Sequence, residues 1–377
     1  MIDNQYTTSE GQSIDVLYVI DEHEVSGLVN VLCYQNEHLD NIDGVNLNYS
    51  AIHLSEEVRR YISKQDMDVD ILQGISDYKR PFFEAVDAVQ SIQKFLKVVD
   101  RIDPDIIHAH AFPASILVAI SAHFRPNIPI IYTQHVIRHN SNLIENALFK
   151  QIFDRYNYIT CVTDSVKDSW TKEFPQTEDR VKTIYNGIST QYFKPTQSAE
   201  ESKKLIMISR LVEGRRFEPL IRGFSEVADP EIKLEIVGTG PRMPELQEIA
   251  KEVDEQDRIS FCGFVDDIRP KLDSGDLFLF PTGSFEGFGM SIIEAMSMKM
   301  PVIAINHPVL EEVISDGYNG CLVDPSPHAV SSAIEDTIND DEKLSRMSRN
   351  ARRTVENNFS ISTMSEQYME LYSKCFN

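Results

Sequence analysis

The chain has 377 residues, 42% of them apolar and 25% charged, with a formal net charge of −23. That length exceeds what one compact core usually holds, so two domains are expected. The negative charge disfavours nucleic-acid phosphates and anionic lipid as main partners, and no apolar run reaches the ~20 residues of a membrane span.

The opening Met1-Ile2-Asp3-Asn4 has neither the basic head nor the apolar stretch of a signal peptide. The five cysteines, Cys33, Cys161, Cys262, Cys321 and Cys375, are scattered and odd in number. They read as reduced core residues in apolar surroundings, which predicts a cytoplasmic protein. Lys79-Arg80 is a local basic patch, leaving at most peripheral contact with the inner membrane face.

Short apolar runs at 16–20, 69–72, 106–108, 130–133, 158–162 and 181–185 read as strands. They are rich in Val and Ile and alternate little, as strands buried on both faces do. Between them lie helical patterns, such as Phe82, Val86, Val89, Ile92, Leu96 and Val99. Gly27 ends the first strand-to-helix loop. His108 and His110 share a face if their strand continues, and His135 and His139 are four apart. No Glu or Cys pattern completes a metal set with either pair, so none is assigned. Trp170, Phe149, Phe153 and Tyr156 fall at packing spacing and do not form a base-stacking platform.

The rhythm pauses at 186–203, where Asn186-Gly187, Lys194-Pro195 and a polar run make linker chemistry. A second set of strands follows at 205–208, 233–237, 259–262, 277–280 and 302–305. The βαβ rhythm predicts two doubly wound α/β domains, 1–190 and 191–360, followed by an amphipathic helix within 361–377 that packs back on the first. Ligands of such sheets bind beyond the carboxyl ends of the strands.

Directly after the 205–208 strand stand Arg210, Arg215 and Arg216, in a sequence otherwise acidic. Arginines on a strand-to-helix connection suit a diphosphate. Gly238-Thr239-Gly240 resembles part of a dinucleotide fingerprint, but Met243 stands at the third glycine, which disfavours a dehydrogenase. The sharpest segment runs from Phe280 to Met296. Gly283, Gly287 and Gly289 let backbone N–H groups approach an anion, and a helix starting near Met290 adds partial positive charge. Glu286 lies in this loop. Glu294 lies just over one turn into the helix, where a carboxylate can hold vicinal hydroxyls.

Together, Arg210 and Arg215, Val237-Gly238-Thr239-Gly240-Pro241, Cys262-Gly263-Phe264-Val265, and Glu286 with Glu294 resemble the family 4 retaining glycosyltransferases. His108-Ala109-His110, Tyr132-Thr133-Gln134-His135, Cys161 to Ser165 and Ile184 to Gly187 extend the resemblance more weakly into the first half. It implies the α/β GT-B fold, two Rossmann-like domains facing across a cleft. It implies a metal-independent hexosyltransferase that retains anomeric configuration, with no cofactor. The partners it implies are a nucleoside-diphosphate sugar as donor and a carbohydrate, lipid-linked or small-molecule acceptor, in polysaccharide or glycoconjugate synthesis.

The resemblance also distributes roles. Arg210 and Arg215 would take the diphosphate, and Glu294 the ribose hydroxyls. Val265 and Gly238 would line the base and phosphate loops. Glu286, with the backbone of Gly287, Phe288 and Gly289, would meet the sugar and phosphates. His135 would lie near the reacting sugar, and Gly27 on the phosphate side. The chain departs from the family pattern at Arg215, usually Lys, and at Pro308-Val309, where paired glycines are common. Another GT-B activity, an epimerase or phosphorylase, and a catalytically weak binding or scaffold subunit are the alternative expectations.

Overall fold

The computed structural model describes residues 13–22, 26–39, 44–65, 67–72, 85–110, 112–137, 149–196, 203–253, 257–284 and 286–376. Phe82, the patch at Lys79-Arg80, His139 and the polar run 197–202 lie outside the described residues. Two units divide the chain. The first holds residues 1–187 and 361–377, the second residues 188–360.

The first unit is built on a parallel sheet of seven strands: β1 (Ile14–Glu22), β2 (Val45–Leu54), β3 (Asp70–Ile71), β4 (Ile106–His110), β5 (Ile130–Gln134), β6 (Tyr158–Cys161) and β7 (Val181–Thr183). Their order across the sheet is β3-β2-β1-β4-β5-β6-β7. The helices α1 (Gly27–Leu39), α2 (Glu56–Ser63), α3 (Ala85–Ile102), α4 (Phe112–Ser121) and α5 (Asp164–Glu173) connect them. β1 and β4 are almost wholly buried, so burial on both faces sets their unbroken apolar character.

β2 is the longest strand, yet the apolar-run pattern passes over it. Asn46 and Asn48 interrupt its first half, where it is partly exposed because β3 pairs only with Ser50 and Ala51. Asn46 Nδ2 instead donates to Asp15 Oδ1 at 2.8 Å. Trp170, Phe153, Tyr132, Tyr156 and Phe174 form the aromatic core beside α5, with Phe153 and Trp170 edge to face at 4.5 Å. The buried indole N–H is satisfied by Thr177 Oγ1 at 3.0 Å.

The second unit has six parallel strands: β8 (Lys204–Ile208), β9 (Lys233–Val237), β10 (Ile259–Gly263), β11 (Leu277–Phe280), β12 (Val302–Ile305) and β13 (Gly320–Val323), in the order β10-β9-β8-β11-β12-β13. β13, a four-residue edge strand led by glycine, is the other strand that the apolar runs do not mark. Around the sheet lie α6 (Phe217–Ser225), α7 (Met243–Glu252), α8 (Arg269–Asp273), α9 (Met290–Ser297), α10 (Pro308–Glu311), α11 (Pro327–Ile338) and α12 (Asp341–Asn358). The core packs Leu205, Phe217, Phe224, Leu234, Leu246, Leu277, Ile303 and Ile334 at no more than 1% exposure.

Residues 188–193 are tied into this unit by the Ile188 N to Phe359 O bond at 3.0 Å and by Arg352, which bonds three carbonyls. Arg352 Nη1 donates to the carbonyls of Phe193 at 2.8 Å and Ser297 at 2.6 Å, and Nη2 to that of Thr190 at 3.0 Å. Hydrogen bonds from a charged donor are worth about 1.5–3 kcal/mol each, so losing three of them in Arg352→Leu is expected to cost more than about 3 kcal/mol. A lowered urea midpoint with unchanged slope would show it.

The last helix, α13 (Ile361–Ser373), belongs to the first unit. Met364, Tyr368, Leu371 and Tyr372 recur at helical spacing and are all buried. Tyr372 Oη lies 2.9 Å from Tyr18 Oη on β1, joining the chain's last helix to its first strand.

Candidate active site

In the second unit the chain runs from β8 outward through β9 and β10, then returns to β11 on the other side of β8. The order therefore reverses between β8 and β11. Connections leave that point in opposite directions and open a crevice at the carboxyl ends. The loops after β8 and β11 carry most of the residues marked by the sequence.

Arg215 joins these two loops. Its backbone pairs with Gly283 in an isolated antiparallel bridge. Its Nη1 donates to Glu286 Oε2 at 3.2 Å and to Pro281 O at 3.2 Å, and its guanidinium sits 5.6 Å from the Phe280 ring centroid. Two further backbone bonds, Arg216 N to Thr282 O and Ser284 N to Gly214 O, both 3.2 Å, close the seam. A Cβ on Gly283 would stand 3.4 Å from Arg215 Cγ, ordinary van der Waals contact, so the arginine stem packs directly on this backbone.

The loop after β9 locks onto the same seam. Arg242 Nη1 donates to Arg215 O at 3.1 Å, and Leu211 N to Thr239 O at 2.9 Å. Gly238 has φ +132°, and a Cβ on it would lie 2.0 Å from Ser209 O. Only glycine permits that approach. Gly238 N in turn donates to Gly263 O at 2.8 Å, which fixes the turn leading to exposed Phe264 and half-buried Val265.

The β11 loop ends at Gly289, whose φ of +85° turns the chain into α9. Glycine has no side chain to cap that helix, so the positive end of the dipole and the N–H groups of its start are open to an anion. Ser291 Oγ bonds Ile208 O at 3.3 Å and ties the helix start to β8. Glu294 follows, 2% exposed, and Glu286 is 9% exposed. Phe288 turns its ring inward against Phe359, 5.5 Å between centroids, leaving its backbone at the loop. The arrangement can hold a diphosphate against arginine and helix dipole, with carboxylates near for hydroxyls.

Of the residues marked from sequence, Arg215, Glu286, Gly287, Phe288, Gly289 and Glu294 stand on one continuous piece of structure, and Gly238 braces it. Arg210 lies exposed on the same β8–α6 connection. The Arg215–Glu286 ion pair and the brace from Arg242 were not legible residue by residue. Their signal was topological, since both follow strands at or next to the reversal. Pro308 occupies the first turn of α10, where its missing N–H costs nothing. His307 Nδ1 accepts from Val309 N at 3.4 Å, so the chain caps a helix where the resembled pattern has glycines.

The first unit has its own reversal, between β1 and β4. Gly27 starts α1 after β1, and β4 runs on through His110, which puts His108 and His110 on one face with ring centroids 4.3 Å apart. His108 is wholly buried and bonded at both nitrogens, to Tyr372 Oη at 2.9 Å and Thr133 Oγ1 at 2.7 Å. Thr133 Oγ1 continues to Thr160 Oγ1 at 2.6 Å. His110 Nδ1 lies 3.1 Å from Nε2 of His135, which follows β5. Among the described residues, no three His, Cys, Asp or Glu side chains are grouped to hold a metal ion. Cys262 departs from the expected apolar surroundings, standing 3.6 Å from Lys271 Nζ.

Burial, with a smaller push from His135, lowers the His108 imidazole to about 3. The unfolded chain protonates near 6.5, so below that pH it binds a proton that the folded chain refuses. Stability is therefore present above pH 6.5 and lost as pH falls toward 3. For this one group the loss is about 1.4 kcal/mol at pH 5.5. Urea unfolding across that range should show the decline, and His108→Gln should flatten it by about one proton.

Comparison with known proteins extends these observations. The family model of the glycosyl transferases group 1 matches residues 189–354, and that of glycosyltransferase family 4 matches residues 54–192. N-acetyl-alpha-D-glucosaminyl L-malate synthase of Bacillus anthracis is 28% identical over 74% of this chain and 77% of its own. Alpha-monoglucosyldiacylglycerol synthase of Streptococcus pneumoniae is 25% identical over 68% of this chain and 65% of its own. Among solved structures, Anabaena HepE in complex with UDP and glucose superposes with a TM-score of 0.81 at 18% identity, covering 96% of this chain and 99% of HepE.

Proposed function

Because the chain belongs to the family 4 glycosyltransferases of GT-B fold, we propose that it transfers a hexose from a nucleoside-diphosphate sugar with retention of configuration and without a metal. The acceptor is a carbohydrate, lipid-linked or small molecule, in polysaccharide or glycoconjugate synthesis. A UDP-sugar is the first donor to test, since HepE was solved with UDP and glucose. No described helix is long and apolar enough to cross a membrane. With an alpha-monoglucosyldiacylglycerol synthase among its relatives, peripheral contact at the inner face suits a lipid-linked acceptor.

The observation that carries this reading is the Arg215 seam beside the start of α9. Arg215 and Arg210 take the diphosphate with the amides of Gly287, Phe288 and Gly289, and neutralise it as it leaves. Glu294 holds the ribose hydroxyls, and the Gly238 and Val265 loops take the base side. Glu286, held by Arg215, positions the sugar and is not a nucleophile. Gly27 lines the phosphate side in the first unit, and His135 meets the reacting sugar. The acceptor oxygen attacks the anomeric carbon on the face that the diphosphate leaves, the sugar–phosphate bond breaks, and the acceptor's proton passes to the departing phosphate oxygen. The nucleotide sugar is a substrate, and no cofactor takes part.

Thermal unfolding with UDP-, GDP- and ADP-sugars in EDTA tests the reading. One base class should stabilise the protein by about 2.7 kcal/mol at a hundred times its Kd. Stabilisation by none of them would overturn it. The second reading, a binding subunit, rests on the capped Pro308-Val309 turn where the resembled pattern has glycines; such a subunit would bind donor but form no product.

A further inference from the structure

At the end of β4, among the described residues, a buried polar atom of His110 is left over. His108 is served at both nitrogens. His110 is not: its ring is 1% exposed, Nδ1 meets His135 Nε2 at 3.1 Å, and Nε2 has no hydrogen-bond partner among the described residues. Burial lowers the pKa of both rings, that of His110 well below the ordinary value. Each neutral ring then carries one proton and one lone pair.

The shared bond has two arrangements. If His135 donates from Nε2, His110 keeps its proton on its own Nε2, and a buried N–H is stranded. The Tyr18 ring, whose centroid lies 4.7 Å from that of His110 at a 45° tilt, would be at best a weak acceptor for it. If His110 donates from Nδ1, what remains over is an imidazole lone pair. Buried donors without acceptors are rarer in folded proteins than under-used acceptors.

We infer that His110 is the positioning residue for His135: its Nδ1–H donates to His135 Nε2 and fixes His135 as the Nδ1–H tautomer. The nitrogen that His135 has left to offer a ligand is then a donor. It can hold a hydroxyl or phosphate oxygen but has no lone pair to take the acceptor's proton, which agrees with that proton leaving on the diphosphate. The inference rests on the proposal that His135 meets the donor sugar.

Histidine-selective ¹⁵N labelling and long-range ¹H–¹⁵N correlation read the tautomers in the ligand-free protein near neutral pH. His110→Asn and His135→Asn assign the signals. The expected result is both rings protonated at Nδ1. His110→Asn, whose amide can donate from the place of Nδ1, should keep the His135 tautomer, and His110→Leu should release it into a mixture. A His135 ring protonated at Nε2, or one unchanged in His110→Leu, would overturn the inference, and the parent spectrum decides it even if a variant fails to fold. Calorimetric titration with UDP, GDP and ADP runs alongside: binding of none of them would count against the transfer reading while leaving the tautomer result intact.

Discussion

Replacing Arg215 by alanine is expected to lower the rate of sugar transfer by about a hundred- to a thousandfold, the usual cost of losing one fixed group that stabilises developing charge. Two effects combine. The diphosphate loses a cation held rigidly at the sheet reversal, and Glu286, 9% exposed, loses its partner at 3.2 Å. Stranding that carboxylate should also cost about 1–3 kcal/mol of stability. The double variant Arg215→Ala, Glu286→Gln separates the two, since stability should return while the rate does not. Arg215→Lys should stay within about tenfold of the parent, because it keeps the charge and loses only the fork. Initial rates with the donor selected by thermal shift, read beside urea midpoints, check all three. Transfer by Arg215→Ala within about threefold of the parent would remove Arg215 from the chemistry.

Gly238→Ala is expected to weaken nucleotide binding by more than about a hundredfold. The new Cβ would stand 2.0 Å from Ser209 O, a backbone atom that no rotamer change can move. The chain would have to part the β8 and β9 loops, at a cost of several kcal/mol where side-chain repacking gives no relief. That breaks the Gly238 N to Gly263 O bond and the neighbouring Leu211 N to Thr239 O bond, both needed to aim the base and phosphate loops. Gly214→Ala is the control. Gly214 has φ +82° with nothing within 4 Å of its Cβ position, so it should lose only the left-handed preference, about 1 kcal/mol. Calorimetric titration of both variants would show whether close approach or backbone angle governs the site.

What could be read in the sequence follows from where burial is uniform. β1, β4, β11 and β12 are buried on both faces and appear as plain apolar runs. β2 and β13 escape because an exposed half or a leading glycine breaks the run. At the candidate site, Gly283, Gly287, Gly289 and the arginines after β8 stood out because residue type and position after a strand signal the same chemistry. What stayed hidden depends on neighbours distant in sequence. The bond between Arg215 and Glu286 spans 71 residues, and that between His110 and His135 spans 25. Periodicity carries no record of either. The return of α13 to the first unit is expected from its amphipathic pattern, but the buried chain of His108, Thr133, Tyr372 and Tyr18 that it completes is not, because its partners are set by residues distant in sequence.

A crystal structure with the nucleoside diphosphate of the selected donor bound tests the central claim most directly. The account predicts the diphosphate within hydrogen-bond distance of Arg215 and of the amides between Gly287 and Gly289, with the ribose hydroxyls on Glu294. A diphosphate bound elsewhere on the second unit, with the Arg215–Glu286 seam untouched, would contradict it.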